Sequence, residues 1–172
     1  MNHQEFFIEQ FTSPVGVLQI STSSDKLVSV LFLEAKTKPM FPSEITKHNP
    51  TIMQQTILQL QEYFDGKRKF FDLPIELNGT DFQKSVWQEL LKIPFGKTIT
   101  YAEQSKRMKN EKAIRAIAST NGKNQINIII PCHRVIGSDG SLTGYGGDLW
   151  VKKWLLQHEE KYSSAEERQS LF

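Results

Sequence analysis

The spacing of apolar residues changes character at Asn78-Gly79, and that change limits the folds open to the chain. Upstream, Val17–Thr22 turns Leu18 and Ile20 to one side and Gln19 and Ser21 to the other, the period of a half-buried strand. Phe6–Phe11 and Leu27–Leu33 read as further strands, joined through Ser13-Pro14-Val15-Gly16 and Ser23-Ser24-Asp25. A loop holding Pro39 and Pro42 leads to Asn49-Pro50, an N-cap followed by proline at the first helical position. Ile52, Met53, Thr56, Ile57, Leu60, Tyr63 and Phe64 then make a helical stripe that Gly66 ends. Phe71, Leu73, Ile75 and Leu77 alternate again, with Pro74 confining that strand to a sheet edge. Asn78-Gly79 is the predicted boundary between domains 1–78 and 79–172.

Beyond it helices dominate. Thr80 with Gln83 forms a capping box, opening a helix with the stripe Phe82, Val86, Leu90 and Ile93 that Pro94-Phe95-Gly96 breaks. Thr100 with Glu103 is a second box, starting a short helix through Met108. Lys109-Asn110 turns into a third helix over about Glu111–Asn121. Two short helices around a tight turn make a helix-turn-helix candidate. Lys106, Arg107, Lys109, Lys112, Arg115 and Lys123 fall here against only Glu103 and Glu111, a footprint for phosphates and equally the solvated side of a surface helix. Ala113, Ala116, Ala118 and Ser119 keep one side of the third helix short. After a β-branched stretch to Ile130 comes Pro131-Cys132-His133-Arg134-Val135, then a turn-rich loop. A final helix from near Leu149 is expected to bury Trp150, Trp154 and Leu155, with a frayed polar tail from Ser163.

Composition narrows the chemistry. A net charge of +2 does not by itself argue for nucleic acid. No apolar run approaches the ~18–20 residues of a membrane span. The opening residues lack the basic-then-apolar order of a signal peptide, so a cytoplasmic location is expected. The single cysteine, Cys132, excludes an internal disulfide and any multi-cysteine zinc site, and the four histidines are scattered, so no metal is expected. A lone cysteine is often a small buried hydrophobe. Cys132, however, sits beside His133 and Arg134, and a thiol becomes a usable nucleophile where imidazole or cationic groups favour its thiolate. A phosphatase loop would need arginine where Ser138 stands, a papain-like order is absent, and redox chemistry lacks a second, resolving cysteine. A thiolate that accepts a group remains.

Pro131-Cys132-His133-Arg134-Val135-Ile136, with Asn124 before it and Gly144-Tyr145-Gly146-Gly147 after it, resembles the O6-alkylguanine-DNA alkyltransferase family. The likeness extends from Phe82-Gln83-Lys84 and Val86-Trp87 through Ile99-Thr100-Tyr101 and Lys112-Ala113-Ile114-Arg115-Ala116 to Lys152, Trp154-Leu155-Leu156 and His158-Glu159. It implies an α+β protein: a strand-rich, ribonuclease H-like α/β domain followed by a winged-helix-like helix-turn-helix domain that binds DNA and carries the active site. It implies irreversible transfer of an alkyl group from guanine O6, with action on O4-alkylthymine left open, to Cys132. His133 would relay through a water between Cys132 and Glu159, the logic of a triad rebuilt on sulfur. Tyr101 would donate to guanine N3. The carbonyls of Cys132 and Val135 would accept from the exocyclic amine, the Gly146 N–H would reach O6, and Tyr145 and Gly147 would line the pocket. Asn124 would tie the turn after the third helix to the cysteine loop.

The nucleotide has to be flipped out of the duplex. The resemblance places the third helix in the minor groove, with Ala113 and Ala116 allowing the fit, Arg115 filling the vacated stack, and Lys112, Asn121 and Lys123 on DNA. It implies a monomer acting once on double-stranded DNA, with no cofactor and no membrane. The chain departs from the family's usual residues at Glu111, Ala118, Asn127 and Asp148. The alternatives are a non-catalytic alkyl-lesion-binding module, a helix-turn-helix regulator and a thiol hydrolase.

Overall fold

The computed structural model describes residues 5–33, 50–145 and 147–169, and side chains as far as residue 163. Pro39, Pro42, Asn49 and Gly146 lie outside the described residues. The chain divides into two compact units, Met1–Asn78 with Gln125–Asn127, and Gly79–Asn124 with Ile128–Phe172.

In the first unit, β1 (Phe7–Ser13), β2 (Gly16–Thr22) and β3 (Leu27–Phe32) form an antiparallel meander in chain order. The alternation of β2 sends Leu18 and Ile20 fully inside, with Leu27 and Val30 of β3 beside them. Helix α1 (Thr51–Phe64) brings Ile52, Met53, Leu60 and Tyr63 to this core, and Phe64 stacks on Phe11 with ring centroids 6.1 Å apart. Pro50 is the extended cap residue, not the first helical one.

The predicted strand at 71–77 shrinks to one parallel bridge between Ile75 and Leu27. Pro74 has no N–H to offer a ladder. The side-chain amide of Gln59 also takes both backbone groups of Asp72, at 3.0 and 2.9 Å, which satisfies them without a strand partner. Gln125–Asn127 runs parallel to β3, with Val30 donating to the Gln125 carbonyl and Asn127 donating to the Val30 carbonyl.

In the second unit, α2 (Asp81–Leu90) opens with both hydrogen bonds of the predicted capping box. The two-residue strands β4 (Ile99–Thr100) and β5 (Val135–Ile136) pair in parallel. Thr100 caps α3 (Tyr101–Arg107) by accepting from Glu103 N–H, but the Glu103 carboxylate pairs with Arg107 at 2.6 Å, so only half of the second box forms. Lys109, at φ 54°, makes the turn. The third helix starts as a 3-10 turn, Glu111–Ala113, and continues as α4 (Ile114–Gly122).

Two polar ties hold α4 from behind. The Trp87 indole donates to the Thr120 carbonyl at 3.0 Å, and Gln104 and Asn121 exchange amide hydrogen bonds of 3.0 and 2.7 Å. Helix α5 (Leu149–Gln169) buries Val151, Lys152, Leu155, His158 and Glu159. Trp150 is 53% exposed, against the sequence expectation, because it falls one residue off this inward stripe. The helix also continues past Ser163, where fraying was expected. Among the described residues no helix is long and apolar enough to cross a membrane.

Candidate active site

Cys132–Arg134 form a 3-10 turn between Pro131 and β5. Cys132 is 4% exposed. The Asn124 amide donates to its Sγ at 3.2 Å and to the Ile130 carbonyl at 2.8 Å, tying the turn after α4 to the cysteine turn. Burial pushes the thiol pKa up, while the Asn124 hydrogen bond and then the charge of Lys152 pull it back. The resting side chain at neutral pH is therefore the thiol.

The next two side chains converge on one carboxylate. His133 Nε2 lies 2.7 Å from Glu159 Oε1. Arg134 donates from Nε to Oε2 at 2.8 Å and from Nη2 to Oε1 at 3.0 Å, and its Nη1 reaches the Ile93 carbonyl at 2.6 Å. Gly96 N–H adds a fourth bond to Oε2 at 3.1 Å. Burial pushes the Glu159 carboxyl up, but His133 and Arg134 outweigh it and hold the group well below the usual carboxylate range. An ionised carboxylate only accepts, which assigns the imidazole hydrogen to Nε2 and the lone pair to Nδ1. Nδ1 has no hydrogen-bond partner among the described residues. Burial lowers the His133 pKa despite Glu159, so the ring rests neutral with Arg134 as the counter-ion of the carboxylate.

Tyr101, at the start of α3, donates its hydroxyl to the Thr143 carbonyl at 2.8 Å. Burial, with the nearby Cys132, raises its pKa, so the phenol keeps its proton. Lys152 Nζ donates to the Val135 carbonyl at 2.6 Å and to the same Thr143 carbonyl at 2.9 Å. The arrangement holds a covered thiol, a neutral imidazole with an acceptor nitrogen that has no partner among the described residues, a carboxylate ionised at neutral pH and a phenol donor.

Two family models match, a 6-O-methylguanine DNA methyltransferase ribonuclease-like domain over residues 8–77 and a DNA binding domain of the same family over residues 81–161. The chain belongs to the 6-O-methylguanine DNA methyltransferase family. It is 43% identical over 148 residues to a methylated-DNA–protein-cysteine methyltransferase of Methanosarcina mazei, covering 86% of this chain and 93% of that protein. A Mycobacterium tuberculosis protein of the same description is 39% identical over 154 residues, covering 90% and 92%. The crystal structure of Mycobacterium tuberculosis O6-methylguanine methyltransferase superposes with a TM-score of 0.80 at 38% identity over 92% of this chain and 94% of that one. A complex of the Mycobacterium tuberculosis protein OGT with DNA gives 0.80 at 37%, over 91% and 94%. These likenesses agree with the expected family and with the α+β architecture.

In this member of the family Lys112, Arg115, Ala116, Ser119 and Lys123 are exposed, at spacings that put them on one side of the third helix, while Ala113 and Ala118 are half-buried. Asn121, grouped with the DNA contacts in the sequence, is 1% exposed and bonded to Gln104, so it belongs to the inner side of α4. Val135 is buried and Tyr145 and Gly147 are half-buried. Among the departures, Asp148 and Glu111 are exposed, and Asn127 is buried with its amide on the Val30 carbonyl. Sequence reasoning offered Arg134 only as a cation beside the thiol, whereas its guanidinium pairs with Glu159, and assigned no role to Lys152. Lys152 carries a signal that could have found it, for it stands three residues before Leu155 and seven before Glu159, on the inward stripe of α5.

Proposed function

We propose that this chain repairs alkylated DNA directly, moving the alkyl group from O6 of a flipped guanine to Sγ of Cys132. The observation that carries the reading is the pair of buried hydrogen bonds Asn124–Cys132 and His133–Glu159 on adjacent residues, in which the one imidazole nitrogen without a partner among the described residues is the basic one. The relatives' common description as methylated-DNA–protein-cysteine methyltransferases supports it.

The thiol proton passes to His133 Nδ1, directly or through a water, and Glu159 stabilises the imidazolium that forms. The thiolate attacks the sp3 carbon, the S–C bond forms as the C–O6 bond breaks, and the electron pair leaves on guanine. Tyr101 releases Thr143 and donates to N3, easing departure of the guanine anion, which ends protonated with the proton the thiol gave up. Atoms and electrons balance without a cofactor. The carbonyls of Cys132 and Val135 each already accept one bond, from Val135 N–H and Lys152 respectively, and each keeps a lone pair for the exocyclic amine. Tyr145 and the backbone at Gly147 line the purine site. A thioether has no easy leaving path, so each molecule acts once.

Burial of Cys132 fits an extrahelical base, because a stacked guanine cannot present its alkyl carbon to a covered thiol. Arg115 and the short Ala113 and Ala116 suit insertion of α4 into the minor groove, with Lys112 and Lys123 on phosphates. A lone nucleophilic thiol suits the reducing cytoplasm, and the protein acts there as a monomer.

Incubation with a duplex carrying O6-methylguanine should add the mass of one methylene, mapped to Cys132. Cys132→Ser should still bind the lesion and gain nothing. Lesion binding by the unaltered chain with no mass gain would replace this reading with that of a non-catalytic lesion-binding module.

A further inference from the structure

Ile128 stands at φ 73°, in the left-handed region that a β-branched side chain rarely occupies, and it is fully buried. Such a conformation persists only where its surroundings over-determine it. Ile128 lies on the return limb of the loop 124–130, whose base is at the thiol and whose tip is on β3. At the base, the Asn124 amide reaches Cys132 Sγ at 3.2 Å and the Ile130 carbonyl at 2.8 Å, and that carbonyl also accepts from Cys132 N–H at 2.9 Å. At the tip, Val30 N–H donates to the Gln125 carbonyl at 2.8 Å. Asn127 then brings two donors to the Val30 carbonyl, its backbone N–H and its side-chain amide, each at 3.0 Å. Asn127 is buried, and it is one of the positions at which the chain departs from its family's usual residues.

We propose that Asn127 is a positioning residue for alkyl transfer: its paired bonds to Val30 pin the loop tip, hold Ile128 left-handed and so keep the Asn124 amide on the sulfur of Cys132. The proposal rests on the reading of Cys132 as alkyl acceptor. Ile128 is the residue directly after the pinned tip and two before Ile130, whose carbonyl carries both Asn124 and the cysteine N–H. With the side-chain donor gone, the backbone N–H holds the tip alone. Ile128 then relaxes toward negative φ, the 129–130 limb turns with it, and the Ile130 carbonyl draws the Asn124 amide away from Sγ.

The consequence falls on the thiol's own titration. Burial raises the Cys132 pKa and the Asn124 hydrogen bond is the largest influence opposing it, so losing that bond raises the pKa further. The titratable groups facing the thiol are His133 beside it, Tyr101 from α3, Tyr145 from the following loop and Lys152 from α5. All four stay as they are when residue 127 is changed.

The test is single-turnover transfer from an O6-methylguanine duplex, with iodoacetamide alkylation of Cys132 alongside it, from neutral to alkaline pH. Asn127→Leu keeps much the same volume and removes the side-chain donor, and Asn127→Ala removes it with no bulk to fit. Each should slow transfer about fivefold at neutral pH and raise the iodoacetamide midpoint by about 0.7 pH unit, one lost hydrogen bond read twice. The deficit in transfer should close as pH rises through the thiol's titration, because the thiolate is then fully formed in variant and unaltered chain alike. A variant slowed equally at every pH, with the original midpoint, would mark Asn127 as a packing residue and overturn the proposal. Unchanged transfer and midpoint in both variants would overturn it as well. So would failure of both to fold, since the backbone bond to Val30 survives in each. If the unaltered chain transfers no alkyl group, the Cys132 reading fails instead, and the iodoacetamide midpoints still decide whether Asn127 positions the thiol's partner.

Discussion

Glu159→Gln removes one charge and almost no volume from a carboxylate that four donors already surround. His133 Nε2 and Arg134 Nη2 meet Oε1 at 2.7 and 3.0 Å, while Arg134 Nε and Gly96 N–H meet Oε2 at 2.8 and 3.1 Å. An amide has one acceptor oxygen, so whichever way it is turned its NH2 faces two donors. Arg134, buried, also loses its counter-ion. Breaking a buried ion pair from one side costs about 3–5 kcal/mol, and the lost hydrogen bonds belong to that figure. The dependence on acidity has a definite sign. The folded-state pKa of Glu159 is depressed, so its contribution is fully present above the unfolded carboxyl value and drains away as pH falls toward the folded one. The deficit of the variant should therefore be largest at neutral pH and shrink once pH drops below the ordinary carboxylate range. Urea unfolding followed by tryptophan fluorescence reads this directly, since Trp87, Trp150 and Trp154 all lie in the second unit. Transfer should slow about 10²–10⁴-fold, the usual worth of a positioned general base. A variant within about 1 kcal/mol of the unaltered protein at neutral pH, or a deficit constant into acid, would refute the reasoning.

Arg115→Ala should weaken transfer from a duplex while leaving transfer from free O6-benzylguanine intact; equal loss on both substrates would assign Arg115 a structural role. Gln104→Leu alone should cost about 1–3 kcal/mol because the Asn121 amide is left buried without its partner. Combining it with Asn121→Leu should recover most of that loss, and a double-mutant cycle with no coupling would contradict the paired geometry.

The strands β2 and β3 and the opening of α2 were legible because local chemistry decides them: alternation that fits a one-sided core, and a threonine and glutamine three apart. The strand expected at 71–77 failed because its competitor, the Gln59 side chain, comes from thirteen residues upstream of Asp72, a distance no local pattern carries. The cysteine was singled out by its histidine and arginine neighbours, while the relay roles of the histidine and the glutamate came from the likeness to a family. Glu159 by composition alone looks like a solvated carboxylate near a helix end, yet it is fully buried, because its partner Arg134 lies twenty-five residues away. Asn121, grouped in the sequence with residues on DNA, lies buried against Gln104 for the same reason: an amide reads as surface until the second amide that meets it is known. Trp150 erred the other way, since apolarity alone does not say on which side of a helix a residue falls.

The two polar ties behind α4, from Trp87 and from Gln104, set its angle without using any residue that points outward. Under the proposed minor-groove binding, exchanges at outer positions such as Lys112, Ser119 and Lys123 should therefore alter grip on a duplex while the thiol chemistry keeps its own speed, and such changes should combine additively with changes at the buried cluster. Affinity and reactivity should then be separately adjustable.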